Sequence, residues 1–323
     1  MSIEGIINLN KPGGLNSSRC VQAVRRITGV KRVGHAGTLD PEASGVLPVC
    51  IGGAARVIEY MDLDFKAYRC EMTLGLRTDT QDIWGAIISD VRGNPGVSRE
   101  EVVKAFESFS GLIEQAPPMY SAVRVGGKRL YEYARAGETV EVKKRKVFIK
   151  DISVTEIDID NNRVCFDATC SKGTYIRTIC SDIGDALGCG GAMSCLVRLA
   201  SGAFKIEDSV ALDDILEMDK ESIKKVIKPA DCALSHFGRA DIHTEERAIW
   251  FMNGGYINLN EATIEKEPEY AEKTHPTVDR DEYRRAYNVY CSIKGEDAFL
   301  GVAFLDEKSR KFKADKVFFR RFD

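Results

Sequence analysis

The chain of 323 residues carries 46 lysines and arginines against 49 aspartates and glutamates, a formal net charge of −3. Its hydrophobic fraction of 44% and charged fraction of 29% are typical of a soluble globular protein, and its length suits two domains. No apolar run approaches the ~20 residues of a membrane-spanning helix, and the N-terminus lacks the features of a signal peptide.

The ten cysteines form no C-x-x-C pair, and the four histidines have no metal-ligand spacing. Zinc ribbons and disulfide scaffolds both need regular pairing of their cysteines. We therefore expect free, mostly buried thiols in a reducing cytoplasm, and no metal site.

The N-terminal elements are predicted from their turn and cap residues. Residues 5–10 predict a strand that ends in a proline–glycine turn at residues 11–14. Ser17 or Ser18 is predicted to cap the helix that follows, and Gly29 to end it.

The next elements are a buried strand at residues 46–51, a short helix at 54–61 and an alternating strand at 68–76. The sequence SREE from Ser98 is a capping box, which predicts the start of a helix that runs to about residue 109. We expect the glycine-containing stretch after it to leave the core as a loop or small helix.

In the second half, alternating residues at 147–157 and 163–170 predict a hairpin. Helices are predicted at residues 175–187 and 211–227. From about residue 239 the pattern changes to short strands with a glycine turn, which indicates a small, mainly β module.

Strands and helices do not alternate regularly in this sequence, and hairpins are frequent. The prediction is therefore an α+β fold with a mixed, largely antiparallel sheet flanked by helices. We predict a large first domain over residues 1–235 and a small, mainly β module over residues 236–323.

The charge is unevenly distributed along the chain. Residues 116–150 hold nine lysines and arginines against three glutamates, whereas residues 261–272 hold five glutamates against one lysine. A second basic cluster leads directly to Asp40 and consists of Arg19, Arg25, Arg26, Lys31, Arg32 and His35. Such segregated positive charge is typical of nucleic-acid binding, although the whole chain is slightly acidic.

Asp40 lies in the most unusual stretch of the sequence, GHAGTLDP at residues 34–41. The glycines permit unusual dihedral angles and close approach of a ligand, and the proline after Asp40 keeps its backbone out of the helical region. Two alternatives are an ordinary Asx turn and a phosphate-binding loop, but the latter lacks the lysine of a P-loop.

Two further residues are candidates for the same site. Tyr68 begins an alternating strand, where an aromatic residue is also an ordinary core residue. Arg177 falls in the first turn of a predicted helix, where the helix dipole favours anions. An anionic partner would explain this arginine, and so would exposure to solvent.

Residues 34–41, followed by GVLP at 45–48, resemble the signature of the TruB family of tRNA pseudouridine synthases. The resemblance extends in family order over residues 3–205, and the other matching segments are Lys11-Pro12, Tyr68-Arg69, Leu74-Gly75 with RTDT at 77–80, Tyr120-Ser121-Ala122 and residues 171–178. The last third is similar to the PUA-like RNA-binding module of bacterial members.

The resemblance implies isomerisation of uridine 55 in the TΨC arm of tRNA to pseudouridine, a reaction that needs no cofactor. It implies Asp40 as the nucleophile, and attack at C1′, addition to C6 and abstraction of the 2′ proton all stay open. Arg177 matches the arginine that pairs with this carboxylate. Tyr68 matches the tyrosine that stacks on the uracil and serves in removal of the C5 proton.

By the same resemblance, the substrate-binding residues are His35, Tyr68, Tyr175, Leu196 and Lys11. Residues 116–145 match the thumb that clamps RNA in stand-alone bacterial members, with Arg124, Lys128 and Arg129 as RNA-binding residues. Relatives that use a guide RNA lack this thumb, so we expect the chain to act on tRNA without a guide. Because the bacterial relatives act alone, we also expect a monomer.

Two other functions are compatible with the sequence. The chain could be a tRNA-binding or tRNA-folding chaperone in which catalysis is not essential, or it could modify a different RNA such as rRNA. One departure from the family is the acidic stretch at residues 261–285, which looks longer and more charged than expected of the C-terminal module.

Overall fold

The computed structural model describes residues 3–270 and 280–318. Its helices are α1 Ser17–Thr28, α2 Arg99–Glu107, α3 Leu130–Arg135, α4 Ile176–Ala186, α5 Leu212–Glu217, α6 Lys220–Val226 and α7 Glu245–Met252. Its strands are β1 Gly5–Lys11, β2 Val33–His35, β3 Ser44–Ile51, β4 Lys66–Leu74, β5 Leu76–Thr78, β6 Ile87–Asp90, β7 Gly111–Gln115, β8 Arg124–Val125, β9 Lys128–Arg129, β10 Arg145–Asp158, β11 Arg163–Cys170, β12 Gly191–Ser201, β13 Phe204–Lys205, β14 Val210–Ala211, β15 Ile227–Lys228, β16 Gly238–Ile242, β17 Ile257–Asn258, β18 Ala262–Lys266, β19 Ala286–Ile293, β20 Glu296–Asp306 and β21 Lys311–Val317.

The larger sheet has the strand order β14-β1-β3-β12-β4-β11-β10-β7, with β2, β13 and β15 attached at its side. Most neighbours are antiparallel, and the β1–β14 and β3–β12 pairs are parallel. The predicted α+β class with a mixed, largely antiparallel sheet is therefore confirmed. Strand β4 lies between β12 and β11, so its side chains occupy the middle of the sheet.

The start of α1 differs from its prediction in a way that matters for the site. Asn16, and not Ser17 or Ser18, caps this helix, because its side chain accepts a hydrogen bond from the backbone N–H of Arg19. The buried Ser17 hydroxyl instead contacts the loop that carries Asp40. The predicted end of the helix is confirmed, since Gly29 adopts a left-handed conformation there.

Two predicted helices are broken in the structure. The stretch predicted as a helix at 54–61 consists of two short 3₁₀ segments, Gly52–Arg56 and Met61–Leu63, joined by turns. The helix predicted at 211–227 is divided into α5 and α6, because Asp219 accepts a hydrogen bond from the N–H of Ser222 and starts a new helix.

Local patterns with clear chemistry are confirmed elsewhere. Ser98 and Glu101 form the reciprocal capping box of α2, and β10 pairs with β11 through the predicted turn. The thumb segment contains the β8–β9 hairpin and helix α3, which agrees with an excursion from the core.

The second sheet has the order β17-β21-β20-β19-β16-β18 and uses residues from Gly238 onward. One hydrophobic cluster contains residues of both sheets, and in it Tyr60, from the turn between the two 3₁₀ segments, packs edge-to-face against Phe237 and Tyr283. The predicted division at residues 235 and 236 stays a prediction about folding units. Part of the acidic stretch at 261–285 lies outside the described residues.

Candidate active site

A cavity of about 940 Å³ opens between the loop that carries Asp40, the middle of the larger sheet and the root of the thumb. Asp40, Tyr68 and Arg177 all line it, although they come from distant parts of the sequence. Of the other predicted site residues, those in its wall are His35, Tyr175, Leu196 and Arg129. Arg124 and Lys128 lie in the exposed thumb hairpin.

The loop between β2 and β3 holds Asp40 through contacts on both sides. The Ser17 hydroxyl donates to the carbonyl of Leu39 at 3.1 Å and accepts from its N–H at 3.0 Å. Gly37 lies in the loop and Gly45 at the start of β3, and their φ angles of 75° and 100° favour glycine. A Cβ at Gly45 would lie 2.2 Å from a backbone oxygen of β12, so close packing of the two strands requires glycine here.

Lys11 has a different position from the one expected of a substrate-binding residue. Its side chain is 0% exposed, and its ammonium donates to the carbonyls of Pro12, Leu15 and Pro41. Burial lowers the pKa of this ammonium. All three bonds go to backbone oxygens in or next to the loop, an arrangement that suits a role in holding Asp40, and direct contact with substrate stays a prediction.

Arg177 faces the Asp40 carboxylate with two of its nitrogens. Nε lies 2.8 Å from Oδ2, and Nη2 donates to Oδ1 at 3.3 Å. The arginine side chain is only 5% exposed, whereas the Asp40 side chain is 38% exposed to the cavity. A buried guanidinium therefore fixes the direction of a carboxylate that a ligand can still reach.

The other bonds of Arg177 fix its own position. Nη1 donates to the carbonyl of Thr80 at 2.8 Å, and Nη2 donates to that of Tyr120 at 3.1 Å. A second carboxylate, Asp82, lies 3.7 Å from Nη1, and burial raises the pKa of this group. Sequence reasoning missed Asp82; its only signal was the density of polar residues in TDTQD at 78–82.

Tyr68 and Leu196 form the apolar side of the cavity from the neighbouring strands β4 and β12. Both are buried, and burial raises the pKa of the Tyr68 hydroxyl. A flat ring and an aliphatic side chain beside a carboxylate suit a planar base on a sugar. The position of Tyr68 in the cavity wall distinguishes it from an ordinary core residue.

His35 and Tyr175 complete the rim of the cavity. His35 is half-buried on β2, and burial lowers the pKa of its imidazole, which favours the neutral ring. Tyr175 precedes α4, where the Gln115 side chain accepts from its backbone N–H at 2.8 Å and donates to its carbonyl at 3.0 Å. This pair ties the start of α4 to β7, next to the thumb.

The thumb presents positive charge and aromatic rings at the mouth of the cavity. All seven of its lysines and arginines are exposed, and so are Lys146 and Lys150 just after it. Arg129 and Arg135 lie over the Tyr131 ring at 5.7 and 5.3 Å, and Arg129 and Tyr131 line the cavity. Stacked cations and rings suit both phosphates and bases of RNA.

Within the described ranges, no group of three or more histidines, cysteines, aspartates and glutamates has the arrangement of a metal site. The ten cysteines are free, and seven of them are buried. No helix in the same ranges is long and apolar enough to cross a membrane.

Two family models together match most of the chain. The TruB family pseudouridylate synthase N-terminal domain matches residues 25–176, and the tRNA pseudouridylate synthase B C-terminal domain matches residues 177–235. The chain belongs to the TruB family. The first model contains Asp40 and Tyr68, and the second begins at Arg177, so the ion pair joins the two matched regions.

Individual relatives agree with the family models. The tRNA pseudouridine synthase B of Clostridium kluyveri is 41% identical over 98% of this chain and 100% of its own length. That of Clostridioides difficile is 40% identical over 97% of this chain and 99% of its own. Among solved structures, a Cbf5-Nop10-Gar1 complex matches at 26% identity with a TM-score of 0.72, covering 97% of this chain and 84% of that chain. The six-stranded C-terminal sheet is consistent with a PUA-like module on a TruB core.

Proposed function

We propose that this TruB-family chain isomerises uridine 55 in the TΨC arm of tRNA to pseudouridine. The observation that carries the proposal is the Asp40–Arg177 ion pair in a cavity that Tyr68 also lines. The names of relatives about 40% identical over nearly the whole chain support tRNA as the substrate.

Asp40 is the essential carboxylate of this reaction, in which the N1–C1′ bond breaks and the uracil is rejoined through C5. Arg177 directs this carboxylate, because Nε and Nη2 of its guanidinium face the two carboxylate oxygens. Tyr68 and Leu196 hold the detached uracil. Attack at C1′, addition to C6 and abstraction of the 2′ proton are three routes that this geometry can serve. An isomerisation consumes no redox equivalent and no energy source.

The target base must leave its loop to enter the cavity, which costs a few kcal/mol of stacking and pairing. In the proposal, Tyr175 and the half-buried His35 contact the displaced nucleotides at the rim. Arg124, Lys128 and Arg129 contact phosphates. Because these contacts hold the tRNA directly, the chain needs no guide RNA. It acts as a monomer in the cytoplasm, where tRNA is modified.

The decisive experiment is the release of tritium from tRNA labelled at C5 of uridine. Asp40→Asn keeps the size of the side chain and removes its charge. Release should be lost while tRNA affinity stays within a few-fold, and undiminished release would refute the role of Asp40. Sequencing of pseudouridines in tRNA and rRNA, with and without the gene, tests position 55 against other targets.

The thumb is tested by the salt dependence of binding. If six of its cations touch phosphate, the slope of log affinity against log salt is about −5. Arg129→Gln should reduce the magnitude of this slope by about one. Lys104→Gln, an exposed lysine on α2, is the matched control and should leave it unchanged.

The seven exposed cations of the thumb also suit a second function, tRNA folding without essential catalysis. Growth of a deletion strain that carries the Asp40→Asn variant tests it. Full complementation would favour the chaperone as the essential role, and failure to complement would favour the isomerase.

A further inference from the structure

A second buried arginine lies in the cavity wall and has no part in the function proposed above. Arg198 on β12 is 0% exposed. Its Nε donates to the carbonyl of Val46 at 2.6 Å, and its Nη2 donates to that of Gly37 at 3.1 Å. Its Nη1 is buried as well, with no hydrogen-bond partner within residues 3–270 and 280–318. A buried unpaired donor costs free energy, so this nitrogen requires an explanation.

The position of Arg198 relative to Tyr68 provides one. The two residues are direct partners in the register of β12 and β4, and both side chains line the cavity. Burial raises the pKa of the Tyr68 hydroxyl, and the positive charge of Arg198 beside it opposes that rise. Two other groups near Tyr68 act in the opposite direction, the Cys170 thiol from β11 and Asp40 from its loop. Lys66, on the same strand as Tyr68, is also in the cavity wall.

The cavity wall therefore contains two buried arginines, and each lies beside a different acidic side chain. Arg177 faces the Asp40 carboxylate, and Arg198 faces the Tyr68 phenol. Arg198 has a third contact that couples the two, because it holds the carbonyl of Gly37 in the loop that carries Asp40.

We propose that Arg198 is a positioning residue that stabilises Tyr68 as the phenolate, the form that removes the C5 proton. This inference rests on the proposed function, in which Tyr68 serves in that deprotonation. In the step, the C5–H bond breaks and its proton passes to the Tyr68 oxygen. The electron pair of that bond forms the C5–C6 double bond, the π pair of the C6–N1 double bond moves onto N1, and N1 takes up a proton from water. The phenol then returns its proton to water in the cavity.

Arg198→Gln tests the proposal through the pH profile of single-turnover tritium release. At neutral pH the rate should fall by roughly 10- to 100-fold, less than the full contribution of a general base, about 10²–10⁴-fold, because Arg198 supports the base and does not itself take the proton. It should recover as the pH rises, because hydroxide then removes the phenol proton without help from the arginine. Arg198→Lys keeps the cation and should retain a profile close to that of the unaltered chain. A residue that only supports the Gly37 and Val46 carbonyls would lower the rate equally at every pH, and this outcome would overturn the proposal.

Leu196→Ala is the matched control, since it changes the same strand and the same cavity without changing charge. Its rate should fall by the same factor across the pH range. If Tyr68→Phe keeps full activity, the proposed role of Tyr68 fails. If Tyr68→Phe is inactive but Arg198→Gln shows a flat loss, only the inference about Arg198 fails.

A measurement on the unaltered backbone covers the case in which Arg198→Gln does not fold. Replacement of Tyr68 by a fluorinated tyrosine lowers the intrinsic pKa of the phenol. The rising limb of the rate should then move to lower pH, and by the same amount in the Arg198→Lys variant, which keeps the cation. A limb that does not move in either protein would contradict a Tyr68 phenolate as the base, and with it a phenolate held by Arg198.

Discussion

Lys11→Met removes an ammonium that holds the loop around Asp40 from below. In the folded chain this ammonium donates to three backbone carbonyls, two in the turn after β1 and one at Pro41. Each hydrogen bond to this charged group stabilises the fold by about 1.5–3 kcal/mol. Burying the ammonium away from water costs several kcal/mol, which offsets part of that stabilisation. Methionine restores the volume but leaves three buried acceptors without a donor, at roughly 1–3 kcal/mol each. We expect a net loss of about 3 kcal/mol in the free energy of unfolding.

Urea unfolding followed by circular dichroism measures this loss, and single-turnover assays measure its effect on the reaction. Because Lys11 lies beneath the loop, the rate constant should fall while tRNA affinity stays within a few-fold. Lys31→Met, at an exposed lysine, should change stability by less than about 0.5 kcal/mol. If Lys11→Met is as stable as the unaltered chain and weakens only tRNA binding, Lys11 is a substrate-binding residue and our reasoning is refuted.

Three further changes test other parts of the structure. Asp82→Asn removes the second carboxylate beside Arg177, so single-turnover rates should fall about 10-fold or more, with tRNA affinity nearly unchanged; an unaltered rate would contradict this. Burial raises the pKa of Asp182 to about 6, so the stability it contributes is present below about pH 4 and is lost as the pH rises through 6. Asp182→Asn should therefore increase the free energy of unfolding more at pH 8 than at pH 5, by ~1 kcal/mol for this half-exposed group. The melting temperature should rise more at pH 8, and equal rises at the two pH values would count against this reasoning. Gly45→Ala should cost about 3 kcal/mol in urea unfolding because its Cβ meets β12, whereas Gly93→Ala, in open space, should be neutral.

Local elements of this fold could be predicted because neighbouring residues determine them. The Ser98 capping box, the left-handed Gly29 and the hairpin around Asn162 each depend on contacts within a few residues. The prediction of one continuous helix at 211–227 was wrong because of a local contact of the same kind. Its apolar spacing continues through the break, but the Asp219 side chain competes locally and starts a second helix.

The site depends on contacts that local patterns do not contain. Asp40 and Arg177 are 137 positions apart, and the residues alone left an Asx turn and a solvent-exposed arginine open as explanations. Only the family resemblance predicted that Asp40 and Arg177 lie in one site. Lys11 was in that resemblance too, but its burial follows only from the packing of the loop on β1. Arg198 gave no signal, because a single arginine in an alternating strand is usually on the exposed face.

The hydrophobic cluster around Tyr60 has a consequence for the modularity of this protein. Since residues of both sheets share one apolar interior, separating them would expose Phe237 and Tyr283 to water as well. The two halves should therefore melt in a single cooperative transition, and protease cleavage between them should not yield a soluble catalytic fragment. In evolutionary terms, the C-terminal part cannot be exchanged for another module unless the joint is rebuilt with it.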